Sequence, residues 1–272
     1  MEALWDMLRF AFMQRALIVG LLVSVCASLL GVSLVLRRYA MIGDGLSHVG
    51  FGALAVALAL GIAPMWVTIP VVVLMAFLLL LLSENGKIKG DAAIALLSTS
   101  SLALGVTVLS LSAGMTVDVN NYLFGSIFAI HPEDVWLSVA LAGLVLGLFL
   151  VFYRKIFSIT FDEAFAKATG TKTKSYQMLL AFLTAITIVL GMRMMGAMLI
   201  SSLIIFPALS AMRICRRFRG VCLFAATISA VCFFVGLALS YFLNTPSGAS
   251  VVLTNLLVFV LTVCARRITR GG

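Results

Sequence analysis

The sequence has 272 residues, of which 63% are hydrophobic and 11% charged, and its formal net charge is +9. Because soluble domains are roughly half apolar and a quarter charged, this composition excludes a water-soluble fold and leaves room for about eight to ten membrane-spanning helices. The basic residues lie in short runs between apolar segments, which is typical of topology determinants and argues against nucleic-acid binding.

Nine apolar segments are long enough to cross a membrane. In chain order they cover about residues 16–36, 42–60, 65–82, 92–113, 133–153, 175–191, 194–212, 221–243 and 248–265. We therefore predict an all-α integral membrane protein, a polytopic bundle of about nine transmembrane helices forming a single domain over residues 1–272. Eight is the alternative, because only Met192 and Arg193 separate the sixth and seventh segments, which must form a tight hairpin or a re-entrant element. Pro207 is expected to bend or break the second of these helices.

Lysine and arginine residues concentrate in alternate loops. Sixteen of the nineteen follow the odd-numbered segments. They are Arg37 and Arg38; Lys87 and Lys89; Arg154, Lys155, Lys167, Lys172 and Lys174; Arg213, Arg216, Arg217 and Arg219; and Arg266, Arg267 and Arg270. The positive-inside rule therefore predicts a cytoplasmic C-terminus and an external N-terminus.

The second segment carries a carboxylate and an imidazole. Asp44 and His48 are four residues apart, so on a helix their side chains share one face. An ionisable residue within a span is costly and marks a substrate or ion path. Together the two groups would suit zinc, manganese or iron. The alternative is structural: Asp44 would cap the helix start near Arg37 and Arg38, while His48 would bond a neighbouring helix.

Two ligands are too few to bind a transition metal selectively. If two copies of the chain met with this face on a shared two-fold axis, the site would hold two carboxylates and two imidazoles. That set suits tetrahedral zinc, and with added waters it also suits manganese.

The other histidine, His131, lies in a loop predicted to be external. Pro132, Glu133 and Asp134 follow it and are typical of a helix start, where proline fits the first turn and acidic groups favour the helix dipole. We interpret this stretch as a helix start in preference to a metal-entry site.

The longest loop predicted to be cytoplasmic covers residues 154–174. Within it, residues 162–169 have a helix-like composition, with Asp162 and Glu163 at the start and Gly170 at the C-terminal cap. This pattern predicts a short amphipathic helix at the membrane surface. It is either an ordinary surface helix or a docking element for a cytoplasmic partner.

Enzyme motifs are absent from the sequence. No G-x-x-x-x-G-K-[ST] stretch occurs, so the chain is not an ATPase of the P-loop type. No H-E-x-x-H occurs, and the glycine patterns of intramembrane aspartyl and rhomboid-like proteases are incomplete. The sequence therefore predicts a non-catalytic protein.

Several stretches together resemble the ABC-3 permeases of zinc, manganese and iron importers. Residues 36–48 resemble that family's paired basic residues followed by Gly-Asp and Ser/Ala-His, and residues 122–125 with 132–134 resemble its connection between the fourth and fifth helices. Residues 161–166 are similar to its coupling helix, and residues 207–211 match its P-A-x-x-A motif. Residues 244–248 resemble the turn before its last helix. One departure is Gly50-Phe51-Gly52, where many relatives carry Leu-Pro-Gly or Leu-Leu-Gly. Residues 117–125 look closest to the zinc permeases.

The resemblance implies a type II ABC importer in the bacterial cytoplasmic membrane. It implies a permease homodimer, two cytoplasmic ATPase subunits that hydrolyse ATP, and an extracytoplasmic metal-binding protein. It assigns the metal ligands to Asp44 and His48. It assigns coupling to the ATPase to Phe161, Asp162, Glu163, Ala164, Phe165 and Gly170. The transported ion would be zinc, with manganese or iron next, and no cofactor would be permanently bound.

Three other functions compete with this interpretation. An ATP-independent secondary transporter or channel would lack a copurifying ATPase subunit. A permease for siderophores or cobalamin shares the architecture, but such chains are usually longer and lack the Asp-x-x-x-His pair. An intramembrane enzyme is disfavoured by the missing motifs.

Overall fold

The computed structural model describes residues 9–84, 90–112 and 132–270. In chain order the helices within these ranges are α1 (Ala11–Leu36), α2 (Ile42–Ala59), α3 (Pro64–Glu84), α4 (Gly90–Leu111), α5 (Pro132–Val151), α6 (Tyr153–Phe161), α7 (Glu163–Ala168), α8 (Thr173–Met195), α9 (Ala197–Ile214), α10 (Phe218–Leu243) and α11 (Ser247–Arg270). Each predicted segment corresponds to one long helix. Eight helices are each long and apolar enough to cross a membrane, or nine if α5 and α6 together form one span. The prediction of an all-α membrane bundle is confirmed.

Helices α1 and α8 lie in the interior of the bundle. In their apolar 18-residue stretches, 67% and 72% of the residues, respectively, are buried. At Gly31 the backbone of α1 lies so close to α9 that any side chain would collide with the main-chain carbonyl of Ile204. The Ser229 hydroxyl on α10 donates a hydrogen bond of 2.9 Å to the carbonyl oxygen of Ser24 on α1. By contrast, α3, α4 and α11 are only 28%, 22% and 28% buried. Their apolar faces therefore remain open to lipid or to another chain.

Helices α8 and α9 form the tight hairpin that the sequence allowed. They are joined at Gly196, whose φ of 89° lies in the left-handed region that favours glycine. Gly191 and Ile200, on opposite sides of this turn, are in contact. Each helix is long and apolar enough to be a full span. Pro207 lies buried inside α9, which continues past it to Ile214, so the proline does not break the helix.

Helix α6 was not predicted from the sequence, which placed residues 154–161 in a loop. It follows α5 after a bend of 68°. Its buried residues are Ile156, Ile159 and Thr160, whereas Arg154 and Lys155 are exposed. The helix is therefore amphipathic, as expected of a segment lying on a membrane surface.

Basic residues from three separate loops gather at one end of the bundle. Arg37, at the C-terminal end of α1, forms an ion pair of 2.9 Å with Glu163 of α7. Arg154 of α6 lines the same cavity as Arg216, Arg217 and Arg219, which lie around the start of α10. We call this region the basic end. Its composition agrees with alternate crossing of the membrane, and its cytoplasmic orientation stays a prediction of the positive-inside rule.

Candidate functional site

Asp44 and His48 lie side by side in the first turns of α2. The distance between Oδ1 of Asp44 and Nε2 of His48 is 3.8 Å, which is longer than a hydrogen bond. The side chains are 44% and 19% exposed, respectively. The two groups therefore share one open face of the helix, as the four-residue spacing predicts, and their lone pairs are not consumed by each other.

The structural alternative for this pair lacks its expected contacts. The N-cap of α2 is Met41, and no side chain caps this helix. Arg37, a proposed neighbour of Asp44, is engaged with Glu163 instead. Nδ1 of His48 is buried and has no hydrogen-bond partner. These observations disfavour the structural alternative, and the ligand role of the pair stays a prediction.

Tight packing on two sides holds this face of α2 in place. Gly43 lies against Ser201 and Ile204 of α9, whereas Gly45 lies against Ile94 of α4. An added methyl group would lie 2.9 Å from a side-chain methyl of Ile204 at Gly43 and 2.5 Å from one of Ile94 at Gly45, so each isoleucine side chain would have to move. The two glycines therefore allow α2 to pack closely against α9 and α4 on either side of Asp44.

The Gly50-Phe51-Gly52 departure lies further along α2 and is well packed. Gly50 faces Met192 of α8, and Gly52 faces the Ser101 carbonyl of α4. Phe51 is fully buried. None of these residues replaces a ligand, so the departure leaves Asp44 and His48 unchanged.

A single chain supplies only this pair. Within residues 9–84, 90–112 and 132–270, no cluster of three or more His, Cys, Asp or Glu side chains could hold a metal ion. His131 and the motif at residues 122–125 lie outside the described part of the chain. Within the described residues, no third His, Cys, Asp or Glu side chain joins Asp44 and His48.

The predicted coupling segment forms helix α7. Asp162 caps it by accepting a hydrogen bond of 2.8 Å from the backbone N–H of Phe165, and Gly170 follows it with a φ of 79°. Ala164 is exposed, and Phe165 is 64% exposed. Phe161 belongs instead to α6, and its ring meets that of Phe218 of α10 edge-on, with the ring centroids 5.8 Å apart. The helix and its N-terminal cap are as predicted, while Phe161 faces a different part of the basic end.

Sequence reasoning missed the ion pair that joins the two predicted sites. Arg37 and Glu163 are 126 residues apart in the chain. The pairing is long-range, and the only available signal was the pair of basic residues Arg37-Arg38 ahead of the second span. The side chain of Arg37 is 11% exposed and that of Glu163 is 49% exposed, so the bond is partly shielded from solvent.

The bundle of eight or nine spans, with two ionisable side chains in α2 and an exposed helix at its basic end, has the features of a membrane transport permease. A family model described as the ABC 3 transport family matches residues 9–266. The chain belongs to this family. It is therefore a non-catalytic, membrane-spanning subunit of an ABC transporter, and the prediction of a permease without enzymatic activity is confirmed.

Individual relatives cover nearly the whole chain. The high-affinity zinc uptake system membrane protein ZnuB of Haemophilus influenzae is 32% identical over 94% of this chain and 98% of its own length. The manganese import system permease protein ScaB of Streptococcus gordonii is 31% identical over 93% of this chain and 91% of its own. The solved structure of PsaBC from Streptococcus pneumoniae in complex with Fab has a TM-score of 0.86 at 30% identity, covering 96% of this chain and 95% of that chain.

Proposed function

We propose that the chain forms the translocation pathway of an ATP-driven importer for divalent metal ions, with zinc as the first candidate substrate and manganese or iron next. The observation that carries this proposal is the Asp44–His48 pair on one open face of a spanning helix. Ionisable groups are kept within a span only where they serve a function. The names of the relatives, one a zinc and one a manganese system, support the same substrate class.

The incomplete ligand set supports a homodimer. Asp44 is 44% exposed in a helix long and apolar enough to span the membrane, and a carboxylate facing lipid there would be costly. A second copy related by a two-fold axis would cover this face and supply the missing pair of ligands. Two carboxylates and two imidazoles suit tetrahedral zinc without further ligands, whereas manganese would need added waters. For this reason we place zinc first.

Helix α7 supports coupling to a cytoplasmic ATPase subunit. Its exposed Phe165 offers an apolar anchor for a partner. Glu163, two residues before it, is bonded to Arg37 at the end of α1. Arg37 is followed by a short turn, with Arg38 at a φ of 63°, and then by α2. A displacement of α7 would thus pull on Arg37 through the ion pair, and the turn after Arg37 would pass the movement to the start of α2, where Asp44 lies. Such a shift of α2 would couple the ATPase to alternating access.

The remaining parts of the proposal complete the assembly. The chain would act as one transmembrane domain in the bacterial cytoplasmic membrane, with residues 154–174 on the cytoplasmic side. An extracytoplasmic binding protein would deliver the metal to the opposite side, and ATP hydrolysis by the partner subunits would drive its release inward.

The test is metal uptake by proteoliposomes that contain the permease, its ATPase subunit and its binding protein. Asp44→Asn removes the charge at nearly constant shape, and we expect uptake of zinc and manganese to be lost at normal protein abundance. Asp91→Asn is the matched control, because Asp91 is an exposed aspartate in the first turn of neighbouring α4. Normal uptake by Asp44→Asn would overturn the assignment. Competition between zinc and manganese in the unsubstituted protein decides which ion is preferred.

A further inference from the structure

The basic end contains a cavity of about 500 Å³ that includes neither Asp44 nor His48 and shares only Phe161 with the predicted coupling residues. It lies between α6 and the start of α10. Its lining combines arginine with aromatic side chains: Tyr153, Arg154, Phe157, Phe161, Arg216, Arg217, Phe218 and Arg219.

Aromatic contacts form the wall of this cavity. Phe218, at the first position of α10, is 7% exposed. The ring centroids of Phe157 and Phe161 lie 5.0 and 5.8 Å, respectively, from that of Phe218. These two rings nevertheless remain 41% and 60% exposed. The wall is therefore fixed in place while offering an open apolar surface along α6.

The four arginines of the cavity have no carboxylate partner among the described residues. The two nearest acidic residues in the chain are already engaged, because Asp162 caps α7 and Glu163 pairs with Arg37. Arg219 interacts with the Tyr153 hydroxyl, which is a neutral partner. No side chain caps the N-terminus of α10, so the positive end of its helix dipole adds to the charge. The cavity consequently favours an anion.

The position of the cavity places it at the level of lipid head groups. Helix α10 is a 26-residue spanning helix that begins at Phe218, and α5 ends at Val151 where the chain bends into α6. Both ends lie beside the cavity, so it opens where spanning helices leave the hydrocarbon. Aromatic rings are enriched at this depth, and basic pockets between transmembrane helices bind anionic lipid head groups.

We propose that this cavity binds the phosphate head group of an anionic phospholipid, with the lipid's first acyl carbons lying against Phe157 and Phe161. Guanidinium groups bind phosphate through paired, charge-assisted hydrogen bonds. A phospholipid satisfies both halves of the lining, because its phosphate meets the arginines and its chain covers the exposed rings. A soluble anion would leave the two rings uncovered. The ATPase subunit already has a separate candidate contact at Phe165 of α7.

The experiment is native mass spectrometry of the purified transporter complex in mild detergent, titrated with phosphatidylglycerol or with phosphatidylcholine of the same acyl chains. We expect retained phosphatidylglycerol and little phosphatidylcholine. Arg217→Gln with Arg219→Gln should weaken phosphatidylglycerol binding about a hundredfold, because each of the two charged hydrogen bonds contributes about a factor of ten. Lys167→Gln with Lys172→Gln, which removes the same charge from exposed positions nearby, should leave binding unchanged.

Three further measurements separate the possible occupants. Glycerol 3-phosphate should compete poorly, and full competition would overturn the proposal in favour of a soluble phosphate site. Loss of the ATPase subunit from the Gln variant with unchanged lipid binding would overturn it in favour of a protein contact. Arg217→Lys with Arg219→Lys keeps the charge and guards against misfolding of the Gln variant. The Lys variant should bind phosphatidylglycerol more strongly than the Gln variant and more weakly than the unsubstituted complex. Equal retention of phosphatidylglycerol and phosphatidylcholine by the unsubstituted complex would also overturn the proposal.

Discussion

Two regions of the molecule differ in the surroundings of their ionisable side chains. One is the face of α2 that carries Asp44 and His48, and the other is the basic end of the bundle. Helix α2 has two ionisable side chains near its start in an otherwise apolar sequence, and ionisable residues in spanning helices are rare and usually functional. At the basic end the four arginines of the cavity are exposed, and an exposed ion pair contributes only about 0–1 kcal/mol. A single substitution should therefore abolish function in α2, whereas at the basic end it should matter only where a contact is specific.

The largest effect is expected at His48. In His48→Ala we expect uptake to fall by at least about a hundredfold, because loss of even an outer-shell partner lowers metal affinity by about 10–100-fold. A permease dimer with one substituted copy should fail nearly as completely, since its shared site would keep only three protein ligands. Uptake by proteoliposomes containing tandem-linked dimers measures this directly. Half-normal uptake by the mixed dimer would show instead that each copy transports independently.

The next effect is expected on the exposed face of α7. Burying a phenylalanine side chain contributes about 1.5–3 kcal/mol, so Phe165→Ala should weaken ATPase association about tenfold or more while metal binding to the permease stays normal. Phe242→Ala is the control, because this ring is also about half exposed, at the far end of α10. Copurification at graded ATPase concentrations gives the affinity. Unchanged association would make α7 an ordinary surface helix.

A smaller effect is expected at the Arg37–Glu163 ion pair. Arg37→Glu or Glu163→Arg should reduce the uptake per ATP hydrolysed about fivefold, the effect of roughly 1 kcal/mol, because both side chains are partly exposed. The double swap should recover most of the loss. Lys167→Glu serves as the charge control, because Lys167 is exposed on the same helix and forms no ion pair with any of the described residues. If both single variants stay fully coupled, the force passes through another contact.

The sequence predicted the spans and the Asp44–His48 face because both depend on local rules. Hydrocarbon demands long apolar helices, and two residues four positions apart must share a helix face. Helix α6 was missed because its basic residues at 154 and 155 look like the end of a span, and nine residues are too few to establish a helical period by themselves. The ion pair of Arg37 with Glu163 and the arginine-lined cavity were also missed. Both join residues from distant loops, which only the packing of the bundle brings together.

The smallest effect on transport is expected from Gly52, which supports the α2 face without carrying charge. A methyl group here would lie 2.6 Å from the main-chain carbonyl oxygen of Ser101 on α4, so the two helices would have to separate. Such overpacking costs about 1–3 kcal/mol. Gly52→Ala should therefore lower the thermal unfolding midpoint in detergent by several degrees, with uptake reduced about twofold.

The matched control is Gly143→Ala on α5, where an added methyl group meets open space and both measurements should stay unchanged. The preference between zinc and manganese should be the same in all three proteins, because neither glycine is a ligand. Complete loss of uptake in a stably folded Gly52→Ala protein would mean that this part of α2 lines the pathway. In that case the functional face of α2 would extend beyond Asp44 and His48 to the part of the helix around Gly52.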